Sequence, residues 1–244
     1  MYVLRTYVFK NSIEIEKKHT HRFRKKGQKR NQKSNPTPET MKKYNLVKQV
    51  DYLRRLIKLN FYEGYHMVLT YDKNDRPTPE LAKKQLNNFI ARMRYHLKKQ
   101  GVEFKYITVT EYENKALHHH IIIQDIPGIL KLVTKQWKHG QVNFTPMHDD
   151  DDVDVLANYL IKETSKTFKT DGVHKTRYNP SRNLEKPTYT EEIIMANSFR
   201  KEPSVPKGYI LDRDSYVYGV SEVTGYEYQK YTLIKIRVSE RMRN

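Results

Sequence analysis

Three consecutive histidines, His118, His119 and His120, run directly into Ile121, Ile122 and Ile123. Side chains alternate along a β-strand, so His118 and His120 project from one face and His119 from the other. Two imidazoles held that way can bind one divalent ion. The β-branched run that follows is suited to a buried strand. The chain has no cysteine, which excludes disulfides and thiolate sites and leaves His, carboxylate, amide or water as ligands. The strand expected before the histidines ends in Thr110, Glu111, Tyr112 and Glu113. In a hairpin, a carboxylate near the end of one strand reaches the face of the next that carries His118 and His120. Glu111 is the expected third ligand, because Glu113 lies closer to the turn. Glu113, and His119 in a shifted register, stay open as alternatives. A His-His-carboxylate set with open positions for phosphate oxygens and water suits Mg²⁺ or Mn²⁺.

A second group lies in Tyr159-Leu160-Ile161-Lys162, within a helix that follows Asp149 to Asp152. Residues three apart share a helix face, so Tyr159 and Lys162 point the same way. A tyrosine can attack a phosphodiester covalently. Its ordinary pKa of about 10 requires an activated phenol or a more electrophilic phosphorus. A metal supplies the latter, and Lys162 can lower the phenol pKa or steady the transition state. The spacing has little specificity by itself in a chain with 19 tyrosines.

Several elements must position these groups. His66 to Tyr71 reads as a strand. Thr78 is a good N-cap with Pro79 at the first helical position. Leu86, Phe89, Ile90, Met93 and Leu97 then form one apolar stripe, and Gly101 ends the helix. Tyr106 to Tyr112 and Leu117 to Gln124 read as an antiparallel hairpin joined at Asn114-Lys115. A short helix at about 128–138, a strand at 142–145 and a helix from about 153 to 166 complete the region. The order β-α-β-β-α-β-α predicts an α+β fold, an antiparallel β-sheet with helices packed on it. A helix at roughly 39–59 precedes it. Before that stand β-prone pieces in residues 1–16. Beyond about residue 190 only Tyr231 to Val238 reads clearly as a strand. The expected division is a β-prone segment and basic arm at 1–38, a catalytic domain at 39–190 and a partly β extension at 191–244.

The chain carries 46 Lys+Arg against 28 Asp+Glu, a formal net charge of +18. That excess favours a polyanionic partner, nucleic acid or an anionic membrane surface. No apolar run has transmembrane length, and the N-terminus lacks signal-peptide features. A cytoplasmic location is therefore expected. The tract from Lys17 to Lys33 contains no acid. Within it, Arg22, Arg24, Lys25, Lys26, Lys29 and Arg30 are expected to contact a phosphate backbone. His19 and His21 repeat the His-x-His spacing in that tract, but without an acid nearby they are expected to add to nucleic-acid affinity, not to hold a metal. The acids after His148 complement a helix N-terminus.

Taken together, these motifs resemble the HUH endonucleases, and most of all the single-tyrosine rolling-circle replication initiators of phages and plasmids. The strand His66 to Tyr71 is similar to the family's Leu-Thr-containing first motif. Ala116 to Ile122 is similar to its His-hydrophobe-His motif, and Tyr159 to Lys162 to its tyrosine motif. Ser181 to Pro187, which includes Arg182, resembles a segment found downstream of the tyrosine. The resemblance covers about residues 40–190. It implies an HUH or RRM-like core, His118, His120 and Glu111 as metal ligands, Tyr159 as nucleophile and Lys162 as the lysine one turn later. It also implies nicking of single-stranded DNA or an origin hairpin, leaving a free 3′-hydroxyl and a 5′-phosphotyrosine that a second transesterification resolves. His119 departs from the usual hydrophobic middle position, and Lys115-Ala116 from the Gly-Arg of many phage relatives. A single tyrosine implies a second subunit or another route for termination. The chain has no phosphate-cradling Gly-x-x-x-x-Gly-Lys motif, so unwinding falls to a separate, host helicase. The competing readings are a non-catalytic DNA-binding regulator and a transposase or relaxase of the same superfamily. Relaxases carry their tyrosine near the N-terminus, whereas Tyr159 follows the histidines.

Overall fold

The computed structural model describes residues 1–19, 36–111, 116–147, 150–167 and 176–236. In chain order the elements are β1 (Tyr2–Val8), β2 (Ser12–His19), α1 (Pro38–Asn60), β3 (Tyr65–Thr70), α2 (Pro79–Lys99), β4 (Tyr106–Glu111), β5 (His118–Ile123), α3 (Ile129–Gln136), β6 (Val142–Pro146), α4 (Asp150–Thr167), β7 (Asn179–Pro180), β8 (Thr190–Ile194), β9 (Tyr209–Val220) and β10 (Glu227–Lys235). The chain is α+β, with two antiparallel five-stranded sheets and four helices among the described residues, consistent with an HUH or RRM-like fold. It divides into two compact units, Lys48–Lys186 and Met1–Val47 with Pro187–Asn244.

In the unit Lys48–Lys186 the strand order is β6-β3-β5-β4-β7. The expected sequence of strands and helices is met from β3 to α4. Thr78 caps α2 by accepting a hydrogen bond from the Leu81 amide, with Pro79 as the first helical residue. At the other end Gly101 takes φ +72°. Its amide donates to Lys98 O at 3.0 Å, and that of Val102 donates to Leu97 O at 3.0 Å. This is the paired closure that a left-handed glycine permits.

The apolar stripe of α2 buries Leu86, Phe89, Ile90, Met93 and Leu97 against Met67 and Leu69 of β3 and Ile121 and Ile123 of β5. Ile129, Val133 and Trp137 join the same cluster, and the Trp137 indole N–H donates to Thr70 O at 2.9 Å. Gly140 lies flat against the end of β3, where a Cβ would overlap the Thr70 carbonyl. Strand alternation turns the other face of the sheet away from this core. That face meets α4, which packs on β4 and buries Val153, Ala157, Leu160 and Ile161. Asp154 ties α4 to α1 through Arg54 Nε at 3.4 Å and Lys58 Nζ at 3.6 Å.

Ser181 to Glu185 close the β4 edge. The Ser181 amide donates to Tyr106 O at 2.8 Å, and Ser181 Oγ accepts from the Tyr106 amide at 3.1 Å. The Asn60 side chain holds Glu185 by both its backbone groups, each at 2.9 Å.

The second unit contains the sheet β8-β1-β2-β10-β9, in which β10 from the end of the chain pairs with β2 from its start. Here local pattern and structure differ. Residues 2–8 form one strand, not two pieces, and β10 begins at Glu227 instead of Tyr231. The strands β8 and β9 add to it. Gln229 is buried, with its Nε2 donating to Arg200 O at 3.0 Å and Lys201 O at 2.6 Å. No described helix is long and apolar enough to cross a membrane.

Candidate active site

Register builds the site. Central β5 lies between β3 and β4, with His118 opposite Glu111 and Thr70, and His120 opposite Val109 and Val68. Directly opposed residues share a face, so Glu111, His118 and His120 emerge together. His119 pairs with Thr110 and Leu69 and enters the opposite layer. There it is 0% exposed, hydrogen-bonded to Tyr71 Oη through Nε2 at 2.9 Å and to Thr110 Oγ1 through Nδ1 at 2.9 Å. The register is therefore the unshifted one, and His119 belongs to the α2 side of the sheet.

On the site face three atoms converge. Glu111 Oε2 lies 3.2 Å from His118 Nε2 and 3.3 Å from His120 Nε2, and the two Nε2 atoms are 3.1 Å apart. Glu111 and His120 are buried at 1% and 5% exposure, and His118 is half-buried. These three residues form a group that can hold a metal ion. The donor set fits one. Ligands about 2.1 Å from a shared ion stand about 3.0 Å apart in octahedral and about 3.4 Å apart in tetrahedral geometry, and the observed triangle falls in that range.

Protonation agrees with the distances. His118 Nδ1 lies 2.7 Å from Ala116 O. A carbonyl only accepts, so Nδ1 carries the proton and Nε2 presents a lone pair to Glu111 and His120. His120 is held down to about 4, by burial first and then by the neighbouring His66 and His118, with Glu111 opposing. It is neutral near pH 7, the state in which an imidazole binds a metal. Its contact with Glu111 is therefore not an ion pair.

The helix completes the arrangement. Tyr159 sits half-buried on the inner side of α4, and its phenol donates to Glu111 Oε2 at 3.0 Å. Its ring meets that of His120 edge-on, with centroids 5.5 Å apart. One carboxylate oxygen thus faces both imidazoles and the phenol. Lys162, one turn further along α4, is exposed, and so is Arg182 beside the buried Ser181. Arg22, Arg24, Lys25, Lys26, Lys29, Arg30 and Glu113 lie outside the described residues, as do His148 and Asp149. His19 accepts or donates at Met1 O, 3.0 Å from its Nδ1, and stacks on Phe199.

His66 is a member of the group that the sequence motifs left without a role. Its Nε2 lies 2.9 Å from His120 Nδ1, with the two rings nearly parallel. Burial lowers it to about 4. It is opposite Ile122 in the register, two residues beyond His120 on the same face. The diagonal neighbour across a strand pair is within reach of a long side chain. Period-two spacing marked His118 and His120, but only the pairing of β3 with β5 brings His66 in.

No curated protein and no solved structure matches the chain. Residues 65–168 match the model of a family of replication-associated proteins, the ORF2 type. The match runs from the start of β3 to the end of α4 and so takes in Glu111, His118, His120 and Tyr159. Residues 65–168 form a domain of this replication-associated protein family.

Proposed function

We propose that this protein initiates replication by nicking and rejoining single-stranded DNA through transesterification. Tyr159 is the nucleophile, and Glu111, His118 and His120 hold Mg²⁺ or Mn²⁺. The observation that carries this reading is the 3.0 Å hydrogen bond from Tyr159 to Glu111 Oε2, the same oxygen that faces both imidazole Nε2 atoms. A phenol aimed at a cation-binding carboxylate is placed where a phosphate would arrive.

The bound divalent ion polarises a non-bridging phosphate oxygen and offsets the charge that develops there. The chain's own residues do the rest. Tyr159 Oη forms a bond to phosphorus as the bond from phosphorus to the 3′ oxygen breaks. The 5′ side of the strand stays esterified to Tyr159, and the 3′ oxygen departs as a hydroxyl. One proton moves overall from the phenol to that leaving oxygen, and Glu111 Oε2 is in line to accept it from the phenol. Attack by a 3′-hydroxyl on the phosphotyrosine reverses these bond changes and restores Tyr159, so no nucleotide energy is consumed. Lys162, exposed on the same helix, steadies the phosphate charge. The basic arm and Arg182 supply backbone affinity. The substrate is single-stranded DNA or an origin hairpin, and a host helicase provides unwinding.

The test uses a pool of single-stranded hairpin oligonucleotides with Mn²⁺. The expected product is a denaturation-resistant adduct whose DNA-linked peptide contains Tyr159 by mass spectrometry. Cleavage that persists in chelator, or an adduct on another residue, overturns the assignment.

A further inference from the structure

We infer that His66 is a positioning residue that fixes the proton of His120 on Nδ1 and so presents His120 Nε2 as a lone pair to the metal group. This rests on the reading of Glu111, His118 and His120 as the metal site.

The geometry leaves few choices. A neutral imidazole has one donor and one acceptor nitrogen. His120 Nε2 is the atom at the triangle, 3.3 Å from Glu111 Oε2 and 3.1 Å from His118 Nε2. To act as a ligand it must be unprotonated, which places the proton on Nδ1. That proton faces His66 Nε2 at 2.9 Å, so His66 must accept there and carry its own proton on Nδ1. The opposite arrangement, with His66 donating, puts a proton on His120 Nε2 and turns it toward Glu111 as a hydrogen bond, which closes the ligand position. Whichever nitrogen of His66 bears the proton therefore decides whether His120 is a ligand or a donor.

His118 obtains the same service from a different partner, the backbone carbonyl of Ala116 at 2.7 Å. That acceptor cannot reverse its role. The partner of His120 can, because an imidazole accepts or donates. The two ligands are thus held unequally, one by the backbone and one by a side chain on β3. Partners of metal-bound imidazoles typically change metal affinity by about 10–100-fold when removed.

The experiment measures Mn²⁺ affinity of the full chain by electron paramagnetic resonance, without DNA. His66→Phe keeps a ring and removes the acceptor. It is expected to weaken Mn²⁺ binding by about 10–100-fold relative to wild type. His66→Gln places a carbonyl oxygen near the former Nε2 and is expected to recover most of that loss. Thermal unfolding in chelator reports separately on whether the variants fold. Wild-type protein that takes up no Mn²⁺ overturns the metal site itself, and this inference with it. Wild-type protein that binds, with His66→Phe equal to it, overturns the inference alone. Should the Phe variant not fold, long-range proton–nitrogen spectra of the Mg²⁺-loaded wild type decide. The expected result is a proton on Nδ1 of both His66 and His120, and a proton on Nε2 of His66 overturns it.

Discussion

Tyr159 and Glu111 are 48 positions apart in the chain, yet the phenol donates to the carboxylate at 3.0 Å. The contact crosses from α4 to the end of β4, and it joins the helix-borne hydroxyl to the oxygen that faces the imidazole pair. Removing the hydroxyl in Tyr159→Phe deletes this hydrogen bond, a cost to stability of about 0.5–1.5 kcal/mol. Covalent capture of DNA is expected to vanish while binding stays near wild type. Gel-shift titration and a denaturing gel of the same samples check both halves.

The three adjacent histidines are expected to separate by face. His118→Ala and His120→Ala should each abolish the rise in thermal midpoint that Mn²⁺ produces in the wild type, because only a folded state with an intact ligand set gains from the ion. His119→Phe should keep that rise. Its cost falls on folding instead: it strips partners from Tyr71 and Thr110, both buried, for about 2–4 kcal/mol. Thermal melts with and without Mn²⁺ distinguish the two outcomes. A His119 variant that loses the metal response overturns the register argument.

Glu111→Gln tests the carboxylate apart from its shape. The amide still fits between β4 and α4 but brings no charge and a weaker ligand oxygen. Mn²⁺ affinity is expected to fall by at least about tenfold, and with it the yield of covalent adduct. Excess Mn²⁺ should restore part of the cleavage if the loss is one of metal affinity. Cleavage by Glu111→Gln at wild-type rate and wild-type Mn²⁺ concentration would falsify the role given to this oxygen.

Much of the site was legible because its signals are local. The alternation of His118 and His120 needs only strand geometry, and Thr78, Pro79 and Gly101 mark α2 by the backbone groups they satisfy. What stayed hidden depends on pairing between distant segments. His66 meets His120 only because β3 pairs with β5 across 54 residues. The same applies to the second sheet, where β2 pairs with β10 from the far end of the chain. The strand β9 has no fully buried residue among its 12, so its sequence never develops the apolar alternation by which a strand is read. β7 is two residues long and exists because Asn179 and Pro180 lie along β4.

The chelated protein is expected to lose stability in mild acid. Burial holds His66 and His120 down at about 4, against an ordinary value of 6.5. The unfolded chain therefore takes up these protons first as the pH drops. The stability contributed by the neutral imidazoles is complete above about pH 6.5 and is lost as the pH falls through about 4. The ceiling is about 3 kcal/mol per imidazole. Urea midpoints in chelator between pH 7.5 and 5 read the effect before most carboxylates titrate. His66→Gln should flatten the curve in that window, since it removes one of the two groups.

The basic arm makes the last expectation quantitative. Arg22, Arg24, Lys25, Lys26, Lys29 and Arg30 are six cations in a stretch without an acid. Each contact with a single-stranded phosphate releases about 0.7 of a counterion. Replacing all six by alanine should therefore reduce the slope of log affinity against log salt by up to about 4. The loss should be similar for DNA of any sequence, because phosphate contacts carry no base information. Mn²⁺ affinity without DNA should be unchanged, since Glu111, His118 and His120 all belong to β4 and β5. Fluorescence anisotropy on two unrelated single strands over a range of salt gives the slopes. An unchanged slope removes the arm from the DNA interface, and a loss confined to one sequence makes it a reader of bases instead.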